Sequence, residues 1–262
     1  VIMEKFDIAV VVVGDFKYLR KNFSTFMSNL NNKGKFKGDV LVLTSYLTPT
    51  FLMSSIWKNK NVKVLRFKKI SFSQETKKRY LNLNTNGQPN RFKTKNFQWF
   101  KLNLFHEKLK KWKFVLYLDI NLTIHKDINP IFDIKPENIL LKCDSYPNYK
   151  NTLRSQFDLS QEESKILEKK FDLNDSRYFQ TGLMYLNTQI IQSKMISEIL
   201  EYANLYPISI TNEQGILNLY FQDNKYLANE LPEFINNDVI YFYWMLKNQD
   251  VIITKQLVEK YK

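Results

Sequence analysis

The chain has 262 residues, 44% of them hydrophobic and 15% aromatic, which excludes a disordered or fibrous protein and allows one large α/β domain. A formal charge of +13 first points to nucleic acid, anionic membrane or phosphate-bearing ligands. The basic residues are mostly Lys spread along the chain, and Asn, Ile and Phe are abundant, as in an AT-rich genome, so nucleic-acid binding is a minor expectation.

The elements alternate along the chain. Phe6 to Val13 is a continuous β-branched run, as in a parallel sheet covered on both faces. Tyr18 to Asn31 carries Leu19, Phe23, Phe26, Met27 and Leu30 at helical spacing. Asp39 to Thr44 is a second strand, Thr50 to Trp57 a helix, and Val62 to Phe67 a third strand. Residues 68–94 are polar and read as an irregular loop, long enough to be functional or mobile and to border an acceptor site. Asn96 to Lys111 reads as an amphipathic helix, Phe114 to Leu118 as the fourth strand, and Leu122 to Ile124 and Ile139 to Lys142 as shorter ones.

Beyond these, Ser160 with Glu163 has capping-box spacing before a helix ending at Lys170. Tyr178 to Asn187 reads as a strand and Ile190 to Leu205 as a helix. Thr211 with Gln214 has capping spacing before a helix over Ile216 to Phe221, and Val239 to Trp244 and Val251 to Thr254 read as edge strands. No repeat or linker divides the chain. The organisation is a single domain over 1–262, with 1–145 as a nucleotide-binding half and 146–262 as a sugar and acceptor half.

One cysteine, Cys143, excludes an intrachain disulfide and fits a reducing compartment. No leader-like segment and no apolar run near the roughly 18 residues of a membrane span is visible. The expectation is a cytoplasmic protein in which the sequons at Asn22, Asn121 and Asn174 are chance matches.

Two polar insertions stand at the ends of predicted parallel strands, where open α/β sheets bind ligands: Gly14-Asp15 and Asp119-Ile120-Asn121. If the strand continues extended, Asp119 and Asn121 share a face and together suit an ion or polar ligand; the simpler reading is a turn. Asp15 likewise reads either as a ligand contact or as a helix N-cap. His125 is a tempting third ligand that more simply packs or faces solvent. Neither a GxGxxG nor a P-loop motif is present, so dinucleotide and P-loop classes lose support.

Five segments in order resemble the glycogenin-like (family 8) nucleotide-sugar glycosyltransferases: VVVVGDFKYLRKNFSTFMSNL, NFQWFKLNLFHEKLKKWKFVLYLDINLTIHKDINPIF, LLKCDSYPNY, RYFQTGLMYLNT and NEQGILNLYF. Each is weak alone; the order over about residues 5–222 makes the signal. The resemblance implies a GT-A-type, Rossmann-like fold with a mixed sheet flanked by helices. It also implies retaining transfer of a hexose from a UDP-sugar to a carbohydrate or glycoprotein acceptor, with Mn²⁺ or Mg²⁺ as cofactor.

By that resemblance Val12, Val13, Gly14, Asp15 and Tyr18 match the nucleobase loop, with Tyr18 stacking on the ring. Lys101 faces the donor phosphates or sugar, and Asp119 contacts ribose and metal. Asn121 stands where the second metal carboxylate belongs, and Asp144 matches the acid after the next strand. Gln180, Gly182, Glu213 and Gln214 face the sugar. The chain departs from the pattern at Asn121 and at Gly215, which replaces a second Asp. It also lacks the C-terminal His-Phe-x-Gly-x-x-Lys-Pro-Trp stretch, no His following His125. These departures keep open a degenerate relative that only binds nucleotide or carbohydrate.

Overall fold

The computed structural model describes residues 7–124, 127–133, 135–145, 150–224 and 245–247. The order starts with β1 (Ile8–Val13), α1 (Phe16–Asn32), β2 (Asp39–Ser45), α2 (Ser54–Trp57) and β3 (Val62–Phe67). It continues with α3 (Gln74–Leu81), α4 (Arg91–Thr94), β4 (Phe114–Leu118), β5 (Leu122–Ile124) and β6 (Ile139–Cys143). It closes with α5 (Glu163–Lys170), β7 (Phe179–Asn187), α6 (Met195–Leu205), α7 (Glu213–Asp223) and β8 (Met245–Lys247). A six-stranded sheet runs β3-β2-β1-β4-β7-β6, and β5 pairs with β8 in a second sheet. This is a mixed sheet flanked by helices, the α/β architecture that the resemblance implies.

The first four strands of that order are parallel, and β7 is antiparallel to both β4 and β6. Burial explains the parallel part. Ala9 to Val13, Val40 to Leu43 and Phe114 to Leu118 are all at most 2% exposed, as strands covered on both faces must be. The carboxyl ends of β1, β2 and β4 therefore open toward one edge, where β7 begins. β7 comes from the second half of the sequence yet lies between β4 and β6, so the sheet spans both halves.

Several predicted elements change form. The helix expected over Asn96 to Lys111 is two 3₁₀ segments, Asn96–Phe105 and Glu107–Lys111, broken at extended His106. Trp99 to Phe105 are seven consecutive buried residues, so the segment is not the one-faced surface helix that the spacing suggests. Burial does not account for the 3₁₀ winding, since α7 is as fully buried and is α-helical. His106 Nδ1 accepts from the Lys108 amide and its ring meets the Phe67 edge. The helix over Thr50 to Trp57 is likewise a 3₁₀ turn, Thr50–Leu52, and α2, parted at extended Met53. The helix expected from Ile190 begins only at Met195, after a 3₁₀ turn at Thr188–Ile190. The expected edge strands over Val239 to Trp244 and Val251 to Thr254, and His125, lie outside the described residues.

Residues 68–94 are not structureless. Ser73 accepts from the Thr76 amide to cap α3, and Asn90 accepts from the Lys93 amide to cap α4. Tyr80 and Phe92 stack at 4.5–7 Å-range distance, with centroids 5.0 Å apart, and both face Phe72. Trp99 closes this cluster against Tyr80 and Phe72. Aromatic residues separated by polar ones thus pin a segment whose composition suggests a loop.

Asp158 fastens the same segment from the other side. It is 4% exposed. Its carboxylate accepts from the Asn84 amide, the Ser160 amide and hydroxyl, and the Gln161 amide group. Ser160 is therefore a partner of Asp158, and α5 starts without a side-chain cap. Burial alone would raise this carboxyl, but the hydrogen bonds outweigh it and hold it below the usual carboxylate range. A depressed folded-state value means a stabilisation that is present at neutral pH and lost as pH falls through that value. Asp158→Asn is expected to lower stability at pH 7 by about 1–3 kcal/mol and to flatten the loss of stability below about pH 4. Urea unfolding across pH checks this; an unchanged acid limb would contradict it.

Candidate functional site

The loop after β1 is built by packing. Val12 and Val13 are buried at the strand end. A Cβ on Gly14 would lie 2.9 Å from Leu19 Cγ, so a side chain there meets the first turn of α1. The Gly14 carbonyl accepts from Thr44 Oγ1 at 2.8 Å, tying this loop to the end of β2. Asp15 is the N-cap of α1, Oδ1 accepting from the Tyr18 amide at 2.8 Å. The Tyr18 ring packs on Phe97 at 4.5 Å. Its phenol is pushed above the ordinary tyrosine value by burial first, then by the negative charges of Asp119 and Asp15.

At the neighbouring strand end a buried cation organises the site. Lys101 is 3% exposed, and its Nζ lies 3.2 Å from Asp119 Oδ1 and 3.0 Å from Glu213 Oε1. Nζ also donates to the Thr181 carbonyl and hydroxyl oxygens. Burial opposes this charge, but Asp119 and Glu213 outweigh it and hold the ammonium above the ordinary lysine value. Tyr117 donates to Asp119 Oδ1 at 2.6 Å, and the Thr181 hydroxyl donates to Glu213 Oε1 at 2.8 Å. Burial, followed by the charge of Asp119, pushes the Tyr117 phenol up, so it stays a donor.

Gln214 fixes the second wall. Its Oε1 accepts from the Thr181 amide at 3.1 Å, and its Nε2 donates to Gln156 Oε1 at 2.8 Å and Asp144 Oδ2 at 3.3 Å. Gln214 therefore does not close a capping box with Thr211. The residue before α7, Asn212, has φ of 55° and caps nothing with its side chain. This strained backbone is held by its Nδ2 donating to Gln98 and the Lys95 carbonyl, and by its carbonyl accepting from Ser209. Gly215 is needed where it is: a Cβ there would strike Ser209 Oγ and come within 3.1 Å of Phe157, so the Asp of the family pattern has no room.

Of these groups Lys101, Asp119, Asp144, Gln156, Thr181, Glu213 and Gln214 line a polar cavity of about 130 Å³, together with Arg91, Gln98, Gln180, Gly182 and Thr211. Gly182 keeps it open, because a Cβ would stand 3.1 Å from Gln180 Oε1 and 3.4 Å from Asp119 Oδ2. The buried Glu213 Oε2 has no hydrogen-bond partner among the described residues. A buried carboxylate oxygen left unsatisfied in a residue that lines a cavity asks for a donor, which a small side-chain shift would let a ligand hydroxyl supply.

The structure thus brings Lys101, Asp119, Asp144, Gln180, Glu213 and Gln214 to one cavity. Val12, Val13, Gly14, Asp15 and Tyr18 form the adjoining loop and do not line it. Asn121 parts from Asp119: the chain turns between them, the Leu122 amide donating to the Asp119 carbonyl at 2.9 Å, and Asn121 is exposed. The shared strand face expected for the two does not form, because the extended run ends at Leu118. Sequence reading passed over Arg91, Gln98, Gln156, Thr181 and Thr211. Arg91 had one signal, its place in the segment singled out for its length; Gln156 had none.

The same geometry tests the expected Mn²⁺ or Mg²⁺. Such ions take about six oxygen ligands, carboxylates foremost. Among the described residues no three His, Cys, Asp or Glu side chains come together to hold one. Asp119 spends Oδ1 on Lys101 and Tyr117, and the amide meant to assist it lies in an exposed turn. The described residues do not fit a divalent ion as its own cage.

Comparison with known proteins comes to the same place. The family described as glycosyl transferase family 8 matches residues 9–230. The galactosyltransferase LgtC, solved with donor and acceptor sugar analogues, superposes with a TM-score of 0.55 at 15% identity, covering 81% of this chain and 70% of that one. Mouse xyloside xylosyltransferase 1 gives 0.51 at 14% identity, covering 85% and 84%. The mannosyltransferase Ktr4p of S. cerevisiae, solved with GDP, gives 0.55 at 12%, covering 86% and 67%. At these identities the likeness establishes the fold. No match was found among curated proteins. No helix among the described residues is long and apolar enough to cross a membrane.

Because Gln214 satisfies two buried groups, the Thr181 amide and Gln156 Oε1, and the half-buried Asp144 carboxylate at once, Gln214→Leu is expected to cost about 2–4 kcal/mol in urea unfolding. A loss below about 0.5 kcal/mol, the range of ordinary surface changes, would mean that the network does not hold the wall.

Proposed function

The chain belongs to glycosyl transferase family 8, and from that premise we propose that it moves a hexose from a UDP-sugar to a carbohydrate or glycoprotein acceptor, with retention at the anomeric carbon. The observation that carries the reading is a polar cavity at the carboxyl ends of parallel strands, lined by Asp119, Gln180, Glu213 and Gln214, in which the buried Glu213 Oε2 has no partner among the described residues. A sugar hydroxyl would satisfy it.

In this reading the loop from Val12 to Tyr18 holds the nucleobase and Asp119 holds the ribose. Gln180, Glu213 and Gln214 orient the hexose, with Asp144 steadying Gln214. Transfer exchanges the bond from the sugar C1 to the diphosphate oxygen for one to an acceptor hydroxyl oxygen, and negative charge gathers on the leaving diphosphate. Arg91 and Lys101 are the cations on the cavity wall and would meet that charge. The notion that Asp119 and Asn121 hold Mn²⁺ or Mg²⁺ finds no cage among the described residues, so no step is routed through an ion. Lys101 plays a positioning part as well, since it fixes both carboxylates.

A second reading, a relative that binds but does not turn over, is favoured by Asn121 in place of a carboxylate. The two separate on one panel: thermal shift with UDP, GDP and CDP, each with Mn²⁺ and with chelator, followed by UDP release from UDP-hexoses. The proposed function expects UDP at a hundredfold excess over Kd to stabilise the fold by about 2.7 kcal/mol, with chelator changing little. It also expects Asp119→Ala to lower turnover by about 10²-fold or more while the protein stays folded. Wild-type turnover in Asp119→Ala would remove the proposal, and UDP binding without release would favour the second reading.

A further inference from the structure

The loop after β2 exposes more large apolar surface than any other described segment. Tyr46, Leu47, Phe51, Leu52 and Trp57 are 57%, 92%, 70%, 64% and 60% exposed within twelve residues of chain. The other exposed large hydrophobics, Leu81, Ile166 and Leu205, stand singly along the chain. Scattered apolar residues need no explanation; five together do.

This display is built. The Arg66 guanidinium donates to the carbonyls of Ser45, Tyr46 and Thr48 and, at 2.6 Å, to Thr50 Oγ1. Trp57 Nε1 donates to the Thr50 carbonyl at 2.9 Å, and the Thr44 and Thr48 hydroxyls are hydrogen-bonded at 2.7 Å. Every bond in this frame uses polar atoms, so the apolar faces of Leu47, Phe51 and Leu52 are left to solvent.

The charge in the chain around the patch is predominantly basic. No acidic residue occurs from 40 to 74, while Lys58, Lys60, Lys63, Arg66, Lys68 and Lys69 do. A groove of about 600 Å³ beside Tyr46 adds Lys108 and Lys111 along the exposed edge of β3. Asp39, on the same groove, is already occupied by Lys63 and Trp112.

We propose that this patch docks the protein on an anionic lipid bilayer, with Leu47, Phe51, Leu52 and Trp57 entering the headgroup boundary and the lysines meeting lipid phosphates. Aromatic and leucine side chains on a lysine-bearing surface suit that boundary, where an apolar body and a cationic rim are both satisfied. A protein partner would have to bring a wholly acidic rim around an apolar pocket; a bilayer offers both by composition. The β2 loop leaves the sheet beside the loop after β1, joined to it through Thr44 and Gly14. Docking would therefore set the nucleobase loop close to the membrane surface.

The test is cosedimentation of the full chain with vesicles of phosphatidylcholine alone or mixed with phosphatidylglycerol, at low and high salt. Leu47→Ser with Phe51→Ser is the decisive variant, because neither side chain carries a hydrogen bond of the frame and neither touches the cavity. Expected are binding to the anionic vesicles only, weakening with salt, and about a tenfold or greater loss in the double variant with its thermal midpoint unchanged. Lys58→Gln with Lys60→Gln should weaken binding by about tenfold. Absence of wild-type binding, or binding the apolar variant retains, would overturn the proposal. So would a wild-type dimer, seen by light scattering, that the double variant splits without any vesicle binding: the patch would then cover a second copy.

Discussion

The site depends on one buried ammonium. Lys101 stands between Asp119 and Glu213, and each charge there is tolerable only because the others are present. The three residues come from different elements: the 3₁₀ segment before β4, the end of β4 and the start of α7. Thr181 on β7 completes the ring of partners. A charge cluster of this kind specifies an arrangement more than it adds stability, since burying the same volume as apolar groups would cost less. It draws four segments to one point, and that point lies at the carboxyl ends of the parallel strands.

Around this centre the sheet and the small residues do the spacing. The Asp119 amide donates to the Gly182 carbonyl at 2.8 Å, so β4 and β7 hold the cluster between them even where β4 has ended. Gly182 leaves the cavity its volume, while Gly215 lets α7 lie against Ser209 and Phe157. The family's second Asp could not occupy that place without moving the loop that strains Asn212. Here one departure from the family pattern is explained by packing, and the loss of a carboxylate at Asn121 is accompanied by a turn that takes the side chain out of the cavity.

Much of this was legible in the amino-acid order. Phe6 to Val13 reads as a parallel strand covered on both faces and Asp39 to Thr44 as a second strand; β1 and β2 occupy these runs, buried and parallel to each other. Asp119 is marked by its place at a strand end, and Gln180, Glu213 and Gln214 by the family resemblance alone; the four do converge. What misled was local geometry. Asn96 to Lys111 looks amphipathic by spacing, but Trp99 to Phe105 are buried on all sides and the segment is two 3₁₀ pieces, a winding that the apolar spacing does not reveal. Ser160 and Thr211 have cap-like spacings, yet neighbours close in sequence take their hydroxyls in another way: Ser160 donates to Asp158, and Thr211 accepts from the Gly215 amide, with neither Glu163 nor the Gln214 side chain closing a capping box. Gln156 carries no local mark at all, because its place depends on a contact 58 residues away.

The account stands or falls on the coupling between Lys101 and Glu213, which a double-mutant cycle with Lys101→Met, Glu213→Gln and the pair measures directly by urea unfolding. If the ammonium and carboxylate are mutually dependent, the pair will cost less than the sum of the singles by about 1–3 kcal/mol. Additive losses would show that the two charges do not hold each other, and would contradict the arrangement from which the site has been built.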